Sequence, residues 1–333
     1  MSFIEQSEKR GGLARRVFLF LGLGFLTFLV AGFFWATATP GTSWEEAVGD
    51  PEDTELPARL ETHVLQLANS PRSLASTTSI MRAQEYIEFE LASLGYTVER
   101  QGVVPPANNL IVKVEAVEPN VKTLVIGAHY DTVPGSPGAD DNASGVAALL
   151  ELARLLKSSK GMAKTNIEIV FYANEEPPYF KTAAMGSYVH AQSIENRESI
   201  EGMMSLETMG YFSDEPDSQN YPFPLSLRYP STGNFIAFAG DTSSREFLRQ
   251  MVGEFRDHAK IPSVGGTVPS VVQGIDWSDH WAYSEAGIPA FMVTDTAIFR
   301  NPHYHRESDV PETLDYDRLA LVVEGLGKVL VLK

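Results

Sequence analysis

A histidine and three carboxylates crowd one stretch of this chain, Gly127-Ala128-His129-Tyr130-Asp131 followed by Gly138-Ala139-Asp140-Asp141-Asn142-Ala143-Ser144-Gly145. Imidazole and carboxylate together make an N/O donor set of the kind that holds Zn²⁺ and similar divalent ions. A complete coordination sphere needs more donors, and Glu175-Glu176, Glu207 and His305 offer them downstream. Each residue also has a bland reading: a histidine after a strand is usually ordinary, Asp-Asp-Asn before a helix is usually an N-cap, and a Glu-Glu pair is usually solvated. Their joint placement tells against it.

The elements that must position these residues alternate. Asn109 to Val117, Thr123 to Ala128, Ile167 to Ala173 and Met203 to Glu207 are β-rich, and Gly145 to Leu156 is an Ala/Leu helix. Further strands are expected at Phe235 to Ala239 and Ala290 to Thr294. Helices are expected at Arg59 to Ala68, Ser79 to Leu94 with Gly95 as C-cap, Ser243 to Ala259 and Asp317 to Leu330. Such alternation predicts an α/β three-layer sandwich, a mostly parallel central sheet with helices on both faces. His129, Glu175, Glu176 and Glu207 then fall at strand carboxyl ends, where ligands of open α/β sheets bind. Ser213 to Thr232 and Ile261 to Ile275 read as long loops shaping a pocket.

With these motifs the chain, over about residues 57 to 333, resembles the co-catalytic di-zinc exopeptidases, a family that includes bacterial leucyl aminopeptidases, glutamate carboxypeptidase II and glutaminyl cyclase. Gly186-Ser187, Ser278-Asp279-His280 and His305-Arg306-Glu307-Ser308-Asp309 add to the resemblance. It implies two Zn²⁺ ions bridged by Asp141, with Glu176 and His305 completing one sphere and His129 and Glu207 the other. It also implies Glu175 as general base in peptide-bond hydrolysis. Asp131 is expected to accept the second ring N–H of His129, and Asp309 to do likewise for His305. Asp140 is expected in a turn or cap, and His303 in the loop or substrate rim. His280 reads equally as a pocket neighbour or a hydrogen-bonded loop histidine.

Two departures from the family stand out. The position of Glu207 is often Asp, so the second metal is the weaker assignment. Pro177-Pro178-Tyr179-Phe180-Lys181 replaces a shorter connection, and Tyr179 and Phe180 are expected to form one pocket wall. Within the family the leading reading is an aminopeptidase acting on peptides. A carboxypeptidase would need a cationic pocket, for which Arg245, Arg249 and Arg300 are candidates, and a cyclase would carry a single zinc.

Composition is that of a globular protein, with 44% hydrophobic and 21% charged residues. A net charge of −17 argues against nucleic acid as a partner, and the absence of cysteine excludes disulfides and thiolate ligands. Val17 to Trp35 is an uncharged apolar run about long enough to span a hydrocarbon core, preceded by Lys9, Arg10, Arg15 and Arg16. Residues 1–16 therefore read as a cytoplasmic basic segment and 17–38 as a transmembrane helix in the lipid bilayer, which places the rest on the periplasmic or extracellular side. A cleaved signal is the alternative, since Ala36-Thr37-Ala38 suits a cleavage site and Arg15-Arg16 resembles a twin-arginine signal. Both readings export the domain. Residues 39–56, rich in Pro, Gly, Thr and acidic residues, are expected to be a solvated linker lifting residues 57–333 off the membrane.

Overall fold

The computed structural model describes residues 3–159 and 162–332, with side chains at Arg16 and from Phe18 onward. Lys9, Arg10 and Arg15 of the expected basic flank thus have side chains outside the described residues. The chain divides into two compact units, Met1–Ala38 and Thr39–Lys333. The first is one helix, α1 (Phe3–Thr37), whose stretch Phe18–Thr37 is apolar and long enough to cross a membrane.

The second unit runs α2 (Leu56–Leu67), α3 (Thr77–Ser93), β1 (Glu99–Val104), β2 (Ala107–Val114), β3 (Thr123–His129), α4 (Gly145–Ser158), β4 (Asn166–Tyr172), α5 (Gly186–Ser193), β5 (Ile200–Glu207), β6 (Ile236–Asp241), α6 (Arg245–Arg256), β7 (Ser263–Val268), α7 (His280–Glu285), β8 (Ala290–Thr294) and α8 (Tyr316–Leu332). One sheet takes the order β1-β2-β4-β3-β5-β8-β6-β7. Its centre is parallel, whereas β1/β2, β2/β4 and β6/β8 pair antiparallel, so the sheet is mixed. β3, β5 and β8 are buried almost throughout because helices cover both faces. Leu60, Ile87, Leu149, Phe255 and Leu326 from α2, α3, α4, α6 and α8 pack one face. Ala191 and Tyr283 from α5 and α7 pack the other.

Two expectations change. The stretch read as a loop from Ile261 contains β7, an edge strand that the sequence disguises with Gly265-Gly266. The solvated linker is instead bound to the domain from its first residues. Arg256 donates to Thr39 Oγ1 (3.0 Å) and the Pro40 carbonyl (2.7 Å), and the Ser263 N–H donates to Ser43 Oγ (2.7 Å). Trp44 Nε1 reaches the Ala259 carbonyl (2.8 Å), and Glu52 pairs with Lys328 (2.8 Å). The Ser263 N–H of β7 and the Ala259 and Lys260 carbonyls of the preceding turn would otherwise lack those partners. The segment satisfies them.

Candidate metal centre

Three of the expected donors end strands or follow them directly. His129 closes β3, Glu207 closes β5, and Glu175-Glu176 follow β4 after Asn174, which turns the chain at φ 59°. Asp141 lies in the irregular turn Ala139–Ser144 that leads into α4. Two glycines of that motif are required. Gly138 is left-handed at φ 63°, and a Cβ on Gly145 would stand 2.6 Å from the Leu206 carbonyl. His305 arrives from a C-terminal loop, also left-handed at φ 59°, a strained setting for a histidine.

These five side chains meet. Asp141 Oδ1 lies 3.3 Å from His129 Nε2, which is also 3.3 Å from Glu207 Oε2. The other oxygen, Asp141 Oδ2, lies 3.0 Å from His305 Nε2, itself 3.4 Å from Glu176 Oε2. One aspartate is thus shared between two triads, and within each triad the donor atoms lie within 4.8 Å of one another. His129 Nε2 and Glu176 Oε1 are fully buried yet make no hydrogen bond, despite the short separations around His129. Buried polar atoms without partners are costly unless something else satisfies them. An N/O donor set with unpaired atoms aimed inward fits divalent zinc.

The electrostatics of the bare protein agree. Burial opposes charge on His129, but Glu207, Asp131 and Asp141 outweigh it and hold the ring's pKa well above the ordinary value. His305 is likewise raised, to about 10, because Asp141 and Glu176 outweigh burial. Glu176 is pushed up to about 8 by burial and by Asp141. Glu175, also buried, is raised well above the carboxylate range, first by burial and then by Glu207 and Glu176. Protons are standing in for cations.

The expected contact of Asp131 with the His129 ring is present, but at ion-pair distance, and the carboxylate's hydrogen bonds go elsewhere. His129 Nδ1 lies 3.2 Å from the Asp131 backbone carbonyl, while the carboxylate stands 3.6 Å away. That carboxylate instead accepts the backbone N–H groups of Glu175 (3.0 Å) and Glu176 (3.1 Å). Asp309 does not bond His305. Its carboxylate accepts the N–H groups of Asp140 (2.9 Å) and Asp141 (3.2 Å). Asp140 is a turn residue, as expected, and its buried carboxylate accepts from the Gly210 N–H (2.9 Å) and Asn301 Nδ2 (2.7 Å). His280 opens α7 and is bonded to the Ile275 carbonyl at 2.7 Å, its pKa pushed down to about 4 by burial. His303 bonds Ser308 Oγ at 3.0 Å in the outer loop.

Two residues escaped the sequence reading. Ser278, inside a motif already noted, donates to Glu207 Oε2 at 2.7 Å. Arg72 carries no motif signal at all, yet its buried guanidinium binds the carbonyls of Tyr130, Leu67, Pro137 and Gly138 at 2.6–2.8 Å. It ties the end of β3 to the Asp141 turn. Burial brings its pKa down to about 10, while Asp309, Asp141, Asp131 and Glu176 support the charge.

A groove open to solvent, with a cavity volume of about 120 Å³, adjoins the site at Glu207 and Tyr304. Its walls are apolar, with Tyr221, Leu225, Val268, Trp277 and Ile298 among them, and among the described residues no Lys or Arg lines it. Both segments read as long loops contribute, whereas Tyr179 and Phe180 do not. Arg300, a candidate carboxylate receptor, is buried elsewhere against the Phe235 carbonyl (2.8 Å) and Gln219 Oε1 (2.7 Å).

The chain has relatives among known proteins. The chain is 38% identical over 304 residues to the uncharacterized protein YfbL of Escherichia coli (strain K12), covering 88% of this chain and 90% of that one. It is 29% identical over 210 residues to leucine aminopeptidase 1 of Fusarium vanettenii, 59% of this chain but only 48% of that protein, so it spans about half of that relative. Among solved structures, LapB from Legionella pneumophila superposes with a TM-score of 0.65 at 20% identity, covering 88% of this chain and 78% of that one. Bacteroides thetaiotaomicron glutaminyl cyclase bound to N-acetylhistamine gives 0.62 at 19% identity, covering 86% and 100%. At those identities the likeness is one of fold. The model of peptidase family M28 matches residues 109–329, from within β2 into α8, and the chain therefore belongs to peptidase family M28, as a zinc-dependent exopeptidase-like hydrolase.

Proposed function

We propose that this chain is a two-zinc aminopeptidase that removes apolar residues from the N termini of peptides. The observation that carries the reading is the division of Asp141 between two donor triads, one oxygen toward His129 and Glu207 and the other toward His305 and Glu176. A single-zinc cyclase has no use for the second triad. The groove beside Glu207 offers apolar surface for a side chain and no cation for a substrate carboxylate, which favours an aminopeptidase over a carboxypeptidase.

Zinc held by these residues supplies Lewis acidity toward a peptide carbonyl and toward water. The remaining work belongs to the chain. Glu175 Oε takes a proton from the attacking water and passes it to the leaving amine. Its burial, which favours the neutral carboxyl, lets it hold that proton between the two transfers. Asp131 fixes Glu175 and Glu176 through their backbone N–H groups, and Asp309 fixes Asp141 in the same way. The apolar groove orients the substrate and excludes water beside the scissile bond.

The same reading makes Phe18–Thr37 a membrane anchor with the catalytic domain outside the cytoplasm. Support comes from the span's length and hydropathy and from the basic residues before it. The test uses the full chain in nanodiscs with leucyl-amide, N-acetyl-leucyl peptide and N-terminal glutamine substrates, together with a zinc count. Two zinc ions, cleavage of the leucyl substrate only, and a loss of about 10²–10⁴-fold in kcat for Glu175→Gln are expected. One zinc with cyclisation of glutamine would replace the aminopeptidase by a cyclase, and full activity of Glu175→Gln would remove the assigned base.

A further inference from the structure

The rim of the apolar groove continues onto the surface. Phe223, Leu227, Val271, Trp277 and Ile298 are from 37% to 90% exposed. Trp277 and Ile298 themselves line the groove, and the other three flank lining residues Pro222 and Val272 or stand in the Tyr221–Tyr229 loop that lines it. Large apolar side chains gathered on three loops around one mouth mark a contact surface rather than scattered exposure. Their mixture of Trp, Phe and aliphatic residues suits a lipid interface, where amphipathic rings settle at headgroup level.

What covers this rim follows from how the chain enters the domain. The apolar span ends at Thr37, and Thr39 is already seated: its Cγ2 would stand 3.1 Å from a Cβ on Gly265 of β7, and its hydroxyl accepts from Arg256. Pro40 packs beside Gly253 and Ser43 holds Ser263. No free spacer separates the end of the span from β7, since one residue advances the chain only about 3.8 Å. Gly265 is also a groove residue, and its carbonyl accepts from Tyr229 OH at 2.9 Å, which ties the Tyr221–Tyr229 loop to the same strand. The chain therefore enters the domain at a strand that lines the groove, two residues after the apolar span ends.

We infer that the groove rim formed by Phe223, Leu227, Val271, Trp277 and Ile298 rests in the interface of a lipid bilayer, so that the groove opens at the membrane surface. The inference rests on the anchor reading above. A chain of charge −17 gains little from anionic headgroups, so apolar contact is the holding force and a zwitterionic bilayer suffices. Apolar peptide N termini lying in the interface would then reach the site without leaving it.

The chain contains no cysteine, so single spin labels can be placed without background. Full-length protein carrying Leu26→Cys, Leu227→Cys, Val271→Cys or Glu118→Cys is reconstituted in phosphatidylcholine nanodiscs. Nitroxide collision with oxygen and with a water-soluble nickel chelate is then compared, and thermal melting confirms that each variant folds. The label at 26 reports the anchor, and the label at 118, in an exposed loop after β2, is the aqueous control. Labels at 26, 227 and 271 showing a several-fold excess of oxygen over nickel collisions relative to 118 support the inference. A lipid signal at 26 with aqueous signals at 227 and 271 overturns it while sparing the anchor, and spin–spin broadening at 227 would assign the rim to a second copy of the chain instead. An aqueous signal at 26 overturns the anchor reading and this inference together.

Discussion

Asp131 and Asp309 perform the same task at two places, each carboxylate gripping two successive backbone N–H groups of an acidic pair. The N–H groups beyond a strand end or before a helix have no partner within the element, so a carboxylate there fixes the loop and its donors at once. Asp309→Asn presents an amide that accepts through one atom only and turns an N–H toward the second donor. A loss of about 10–100-fold in zinc affinity is expected, read by competition with a chromogenic chelator; unchanged affinity would show that the Asp141 turn holds itself. At this scale the meeting of His129, Asp141, Glu176, Glu207 and His305 was legible because a candidate metal site constrains residue type. Their supports were legible in identity and not in partner. The spacing of Asp131 from His129 suggested a ring contact, which is kept at 3.6 Å, but the carboxylate's hydrogen bonds go to the donors that the folded loop leaves unpaired, and those belong to Glu175 and Glu176.

The elements behind the site hold one buried charge network of their own. Glu151 on α4 receives Arg59 Nε (2.8 Å) and lies 3.1 Å from His63 Nε2, both on α2, and Arg154 Nε reaches it at 3.0 Å. Burial alone would raise its pKa, but His63, Arg59 and Arg154 outweigh burial and bring it down to about 2. A depressed carboxylate contributes stability above its unfolded pKa near 4.5 and loses it as pH falls toward 2, a contribution on the order of 3 kcal/mol at neutral pH. Glu151→Gln is therefore expected to lower the melting temperature at pH 7 and to converge on the parent protein as pH approaches 2. A constant difference across that range would mean that packing, not charge, holds α2 on α4. Central strands β3, β4 and β8 could be read from sequence because burial on both faces leaves apolar runs, and β5 only from Met203 onward, past Glu201. β1, Glu-Arg-Gln-Gly-Val-Val, and β7, Ser-Val-Gly-Gly-Thr-Val, could not, because an edge strand keeps polar residues or glycines and depends on tertiary pairing. Helices α5 and α7 are too short for periodicity to register.

At the scale of the whole molecule, composition suggested a solvated linker between Thr39 and Leu56, whereas the structure holds that segment against α6 and the start of β7. Polarity says that a segment tolerates water, not that it lacks a partner. Charge has a molecule-wide consequence as well, since the chain folds a concentrated acidic site within an already acidic protein. Without metal, that site keeps its protons: His305 is raised to about 10, Glu176 to about 8, and His129 and Glu175 are raised well above their usual values. Each of these groups binds protons more tightly folded than unfolded, so the metal-free protein loses stability as pH rises from about 4.5 through 8 to 10. Zinc takes the place of those protons and stabilises only the folded state, by about 2.7 kcal/mol at a hundredfold excess over its Kd. The melting temperatures of zinc-loaded and chelated protein should therefore draw apart between pH 5.5 and 8.5, with protons released on zinc binding in titration calorimetry across buffers of different ionisation enthalpy. A gap that stays constant with pH, or binding without proton release, would mean that the two triads around Asp141 do not hold the metal.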